Sequence, residues 1–302
     1  MTQERANVLL VDDEERVLRS LEMLLKNHFR VFTTTDGNEA LAICGRQPIH
    51  VVVSDQRMPV ITGVELLRRV RQISPNAMRL LLTGYADLEA IVNSVNEGEI
   101  YRYLSKPWNG QEIVSTVTSA AQIAMDLQNE SPSEDAAGTA PGVLVIDDDP
   151  TVAEMVKSIC GPERPVRWSV DLDEAFAMLA GNDIAIVICD IRLRGRDISA
   201  AVKALKESNP FILTIVQTQL QDVETLRSLI NQGQIHRFLP KPARRGLLEM
   251  SLESATRRHI SLKQAPVLAR RYTVERNDPQ PVANLSNRLL SYLDKVRQRV
   301  IQ

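Results

Sequence analysis

From Val51 to Gly63 the chain reads VVVSDQRMPVITG: an apolar, β-branched run, an aspartate where the run ends, then a loop marked by Pro59 and Gly63. A run this short and this continuously apolar is the pattern of a central strand buried on both faces. The pattern returns at Val8–Val11, closed by Asp12 and Asp13, at Leu80–Leu82, closed by Thr83, and at Tyr101–Leu104, just before Lys106. Helical patterns fall at about 14–27, 37–44, 63–73, 86–97 and 110–128. Strands alternating with helices predict βαβ units, here five of them around a doubly wound, five-stranded parallel sheet.

The pattern occurs twice. VLLVDDE at Val8 returns as VLVIDDD at Val143, HVVVSDQRM as AIVICDIRL, and YLSKPW as FLPKPA. Asp12 and Asp147, Asp55 and Asp190, Thr83 and Thr218, and Lys106 and Lys241 are each 135 positions apart. Four polar landmarks in register predict two copies of one α/β fold, over residues 1–128 and 143–262. The stretch between them, 129–142, holds SPSEDAAGTAPG, whose small, polar and Pro/Gly composition is that of a linker. Residues 263–302 form a tail of different character.

In a doubly wound sheet the carboxyl ends of the strands share one surface, and ligands bind there at the point where strand order reverses. Asp12, Asp13, Asp55, Thr83 and Lys106 all stand at such ends. Three carboxylates brought together repel one another unless a cation compensates. Oxygen-only donors with open water positions suit Mg²⁺. With a lysine and a threonine hydroxyl beside it, such a site is equipped to take a phosphoryl group on a carboxylate. A lone Asp at a strand end is usually a helix cap, and Asp12–Asp13 before Glu14 could be only a charge cluster at a helix N-terminus. The in-register repetition argues against that bland reading.

The constellation resembles the receiver (CheY-like) domain of two-component response regulators, a flavodoxin-like fold, with the motif DxxMPxxxG from Asp55 to Gly63. The resemblance implies that Asp55 is the phosphoacceptor. Asp12, Asp13 and Asp55 would hold Mg²⁺, with the backbone carbonyl of Arg57 as a further ligand. Thr83 would bond the phosphoryl oxygen, Lys106 would pair with the phosphoaspartate, and Tyr103 would be the switch aromatic that turns inward on phosphorylation. Lys106–Pro107 would be a cis peptide. Asp147, Asp148, Asp190, Arg192, Thr218, Phe238 and Lys241 take the same roles in the second copy. That copy replaces Met58–Pro59 by Leu193–Arg194, Gly63 by Ile198 and Gly84 by Gln219, and its loop carries Arg192, Arg194 and Arg196. The implied partners are a sensor histidine kinase or phosphotransfer protein upstream and a second protein downstream.

The last helix of each copy carries an apolar stripe: Ile113, Val117, Ala120, Ala124 and Leu127, then Leu248, Leu252, Ala255, His259 and Leu262. Its first half should pack on the sheet; past Ala121 and Thr256 the stripe is expected to meet another domain or subunit, as in a homodimer. From Arg257 to Gln302 the charge is +7 within a chain of net −2, so nucleic acid is an alternative partner for the tail. Leu285, Leu289, Leu293, Val296 and Val300 predict a final helix there.

No run of apolar residues is long enough to span a membrane, and the N-terminus lacks a secretory pattern. Cys44, Cys160 and Cys189 form no CxxC pair. These features suit a soluble cytoplasmic chain. A phosphohydrolase of the haloacid-dehalogenase kind needs a second carboxylate two residues after its nucleophile, where Arg57 and Arg192 stand. The expectation is therefore no enzyme beyond self-phosphorylation and dephosphorylation. No conventional effector motif fits the tail, so the expected output is protein contact. The alternative is that the chain is the regulatory portion of a longer second-messenger phosphodiesterase or transcription regulator.

Overall fold

The apolar runs form the middle of two parallel sheets, each inside its own compact unit; the units divide between Ser131 and Pro132. The structure, a computed structural model, describes residues 5–84, 92, 96, 100–129, 140–181, 183–219, 223–231, 235–242, 244–264, 266 and 269.

In the first unit the strands are β1 (Asn7–Val11), β2 (Arg30–Thr34), β3 (Val51–Asp55), β4 (Met78–Thr83) and β5 (Arg102–Ser105), in the order β2-β1-β3-β4-β5. All adjacent pairs are parallel. β1, β3 and β4 are buried along their whole length, which is why they read as unbroken apolar runs. The helices are α1 (Glu15–Leu25), α2 (Gly37–Arg46), α3 (Gly63–Ile73) and α4 (Gly110–Asn129). Their starts are legible: Asp36 accepts from Asn38 N and Glu39 N to cap α2, and Thr62 accepts from Glu65 N to cap α3. The helix expected over 86–97 lies, but for positions 92 and 96, outside the described residues.

The second unit repeats the plan with β6 (Gly142–Ile146), β7 (Val166–Ser169), β8 (Ile184–Cys189), β11 (Leu213–Thr218) and β12 (Arg237–Pro240), in the order β7-β6-β8-β11-β12. Its helices are α5 (Pro150–Cys160), α6 (Leu172–Gly181), α7 (Ser199–Ser208), α8 (Val223–Asn231) and α9 (Arg245–Gln264). One element was not foreseen: β9 (Arg192–Leu193) and β10 (Arg196–Asp197) pair antiparallel as a small hairpin, where the first unit has the loop Met58–Ile61.

The end of α9 corrects one expectation. Leu262 is fully buried in the core of its own unit, with Ala269 beyond it in the same cluster. Packing past Thr256 therefore serves the second unit itself at Leu262. The stretch 130–139, the tail beyond Ala269 and its expected helix lie outside the described residues. Among the described residues no helix is long and apolar enough to cross a membrane. The three cysteines are free thiols.

Candidate functional site

In the first unit β1 is flanked by β2 on one side and β3 on the other, so chain order reverses there. Asp12 follows β1, Asp55 ends β3, Thr83 ends β4 and Lys106 follows β5, and the fold brings these ends together. Lys106 Nζ lies 2.8 Å from Asp12 Oδ2 and 2.5 Å from Asp55 Oδ1, although 94 residues separate the lysine from Asp12. The remaining carboxylate oxygens are also held. Asp12 Oδ1 accepts from Glu14 N, and Asp55 Oδ2 accepts from Arg57 N. Asp12 is 1% and Asp55 6% exposed. Burial pushes the Asp12 carboxyl above its ordinary value, against the opposing pull of Lys106. Burial alone would lower Lys106, but its hydrogen bonds to Asp12 and Asp55 outweigh that and hold it above the ordinary lysine value.

Three carboxylates against one ammonium leave this surface negative, and Asp13 is exposed with no hydrogen bond or ion pair among the described residues. Among those residues no three His, Cys, Asp or Glu side chains form a ready metal cage. Mg²⁺ does not need such a cage. It takes one or two carboxylates and keeps several waters, so the donors Asp13, Asp55 and the Arg57 carbonyl, with Asp12 behind them, fit it.

The loop after Asp55 shows why its motif ends in glycine. A Cβ on Gly63 would lie 2.1 Å from the Asp55 carbonyl oxygen and 2.8 Å from Leu81 Cδ1. Within the loop Val60 takes φ 70° and is 94% exposed, a strained conformation for a β-branched residue. Lys106–Pro107 is cis. Thr83 is buried. Tyr103 is only 1% exposed.

The second unit assembles the same set. Lys241 Nζ is 2.9 Å from Asp147 and 2.6 Å from Asp190, Lys241–Pro242 is cis, and Thr218 and Phe238 are buried. Asp190 Oδ1 accepts from Arg192 N at 2.9 Å. Burial raises the Asp147 carboxyl, as it does Asp12.

The surroundings differ. Asp148, the counterpart of Asp13, accepts from Arg194 N at 3.2 Å across the hairpin; the matching first-unit residue, Pro59, has no N–H to offer. Gly195 supplies the positive φ at the position of Val60, without a Cβ. Ile198, at the place of Gly63, keeps the corresponding backbone bond: Ile198 N donates to Ile191 O, as Gly63 N donates to Gln56 O. Arg192, Arg194 and Arg196 are all exposed on the hairpin. Trp168 Nε1 donates to the Asp147 carbonyl at 2.9 Å, a neighbour that no motif in the chain points to.

Two doubly wound units, each with an acidic surface pinned by a lysine at its strand ends, define a class of aspartate-centred domain. The sequence profile of the response regulator receiver domain matches residues 8–118 and 143–253, and the chain belongs to that family, with two receivers in tandem. The hydrogenase transcriptional regulatory protein HoxA of Cupriavidus necator is 43% identical over 130 residues, 43% of this chain and 27% of that protein. The DNA-binding transcriptional regulator NtrC of Salmonella typhimurium is 31% identical over 147 residues, 46% of this chain and 31% of that protein. The chain thus spans about a third or less of the length of these relatives. A solved signal receiver domain of an HD domain-containing protein from Pseudomonas fluorescens Pf-5 is 35% identical, covering 43% of this chain and 97% of that one, with a TM-score of 0.42.

Proposed function

We propose that the chain is a phosphoacceptor of two-component signalling, phosphorylated on Asp55, and on Asp190 in the second receiver, by a sensor histidine kinase or phosphotransfer protein in the cytoplasm. The observation that carries this reading is the Lys106 ammonium bridging Asp12 and Asp55 at the strand ends. An Asp55 carboxylate oxygen attacks phosphorus, a P–O bond forms, and the P–N bond to the donor histidine breaks. The imidazole leaves with the electron pair and takes up a proton. Lys106 offsets the anionic charge that gathers at Asp55, and the Thr83 hydroxyl donates to a phosphoryl oxygen. Asp12, Asp13, Asp55 and the Arg57 carbonyl would hold Mg²⁺, with Asp147, Asp148, Asp190 and the Arg192 carbonyl as the second set. When bound, the ion neutralises phosphoryl charge that the carboxylates would otherwise repel. Tyr103 and Phe238 couple each site to the surface that partners read, and turnover is confined to the chain's own phosphoaspartate.

Output is by phosphorylation-dependent protein contact. The similarity to transcriptional regulatory proteins favours a second reading, in which these residues are the regulatory portion of a transcription regulator. Acetyl phosphate with Mg²⁺ should add a phosphoryl group to the first receiver, and chelation should prevent it. Asp55→Asn should abolish that label. Undiminished labelling of residues 1–128 after Asp55→Asn overturns the assignment.

A further inference from the structure

The register of the sheets sets up a comparison between the receivers. In the first, one row across the carboxyl edge runs Leu104, Leu82, Asp55, since Leu82 pairs with both Leu104 and Asp55. In the second, Gln217 pairs with Leu239, and the row beyond Val216–Cys189 and Cys189–Ile146 brings Gln217, Asp190 and Asp147 side by side. Paired residues of neighbouring strands present their side chains on one face, about 4.8 Å apart. A glutamine side chain spans that distance. Gln217 therefore stands where the first receiver has Leu82, on the face that carries the acceptor aspartate.

Gln217 is fully buried, and neither its Nε2 nor its Oε1 has a hydrogen-bond partner. Leaving an amide unsatisfied in an apolar setting is costly, and such a group calls for an explanation. A leucine would fill the place without that cost, as Leu82 does. On the other side of Asp190, Asp147 Oδ2 is also buried without a hydrogen bond, although Lys241 Nζ is close to it. Gln217 and Asp147 thus stand on either side of the acceptor in that row; Arg164 Nη2, Thr214 Oγ1 and His259 Nε2 are the other buried side-chain atoms of the second unit without a hydrogen bond among the described residues.

We propose that Gln217 is a phosphoryl-binding residue of the second receiver, whose amide donates to the phosphoryl group carried by Asp190 and so distinguishes this site from the first. The proposal rests on the reading of Asp190 as an acceptor. The amide is orphaned while Asp190 is unmodified and gains its partner when the anion is bound. The second site is thereby biased toward holding a phosphoryl group, while the leucine-walled first site is not.

The test uses the full chain carrying Asp55→Asn, so that only the second receiver reports. Beryllofluoride with Mg²⁺ is the probe, followed by fluorine NMR of the bound fluorides. Trp168 emission, isolated by Trp108→Phe, gives a second readout, because its indole bonds the Asp147 carbonyl. Gln217→Leu should weaken beryllofluoride binding about tenfold, the order of one hydrogen bond to a charged group. It should also raise the melting temperature of the unliganded unit, since a buried unsatisfied amide is removed. Gln217→Met, which keeps the length without the amide, should behave alike. Opposite movement of stability and binding supports the proposal. Binding untouched by both variants overturns it and leaves the acceptor reading standing. A fall in stability and binding together makes Gln217 merely structural and also overturns it. No binding by Asp190 in the chain with Gln217 intact overturns the acceptor reading itself, and the proposal with it.

Discussion

Replacing Lys106 with Met should destabilise the first receiver by an amount that depends on pH. The substitution keeps the aliphatic stem and removes the charge that joins Asp12 Oδ2 at 2.8 Å and Asp55 Oδ1 at 2.5 Å. Removing one partner of a buried ion pair leaves uncompensated charge and costs about 3–5 kcal/mol. An escape route caps this cost, because Asp12 can take a proton. Each pH unit between a carboxyl's pKa and pH 7 costs about 1.4 kcal/mol. From the ordinary value of 3.8, neutralisation at pH 7 would cost about 4 kcal/mol. Burial has already raised Asp12, which eases that escape, so the loss is expected at the low end of the range for a broken buried pair, about 3 kcal/mol, or about 10 °C for a domain of this size.

Without the lysine, Asp12 rises further. A carboxyl raised in the folded state binds more protons there than in the unfolded chain. Stability then falls as pH climbs from the unfolded value through the raised one. The deficit of Lys106→Met should therefore be near its full size at pH 7 and shrink toward pH 4. Urea unfolding followed by Trp108 emission, in chains carrying Trp168→Phe, measures it across that range. A loss below about 1 kcal/mol, the size expected of an exposed pair, or one that does not change with pH, would show that Lys106 does not hold the two carboxylates in this way.

Gly63→Ala should destabilise the first receiver by about 2–4 kcal/mol, the scale of strong overpacking, because the new Cβ meets the Asp55 carbonyl at 2.1 Å; thermal unfolding and Asp55 labelling should both suffer, and an unchanged melting temperature would contradict the clash. Mg²⁺ should bind the second receiver about fivefold more weakly than the first. Asp148 must release the Arg194 N–H, a bond worth about 1 kcal/mol, and separate titrations of Trp108 and Trp168 emission will show equal affinities if that bond is immaterial. Among the thiols, Cys160 should react first with iodoacetamide at pH 8: burial pushes Cys44 up to about 11 and Cys189 higher still, while Arg164 partly offsets the rise at half-buried Cys160. Prior labelling of Cys189 would mean that β8 opens more readily than its buried setting implies.

The repeat, the strands and the acidic residues at their ends were legible in the order of the amino acids alone. Central strands buried on both faces have to be apolar throughout, and the change to Asp12, Asp55 or Thr83 marks where the sheet stops. Period and composition carry that information locally, so it survives without coordinates. Two later findings were half legible. Gln217 interrupts the apolar run LTIVQT at the register position of Leu82, and Gly63 becomes Ile198 in the repeat. Neither substitution reveals by itself what surrounds it. It took the folded chain to bury the Gln217 amide without a partner, in the row that continues to Asp190, and to turn the arginine-bearing loop back as a hairpin whose Arg194 N–H takes Asp148. The burial of Leu262 in its own unit's core was settled the same way. An amphipathic stripe states that a face must be covered but not by what. Hydrogen-bond satisfaction depends on groups distant along the chain, such as Lys106 and Asp12, and only the folded chain brings those groups within reach.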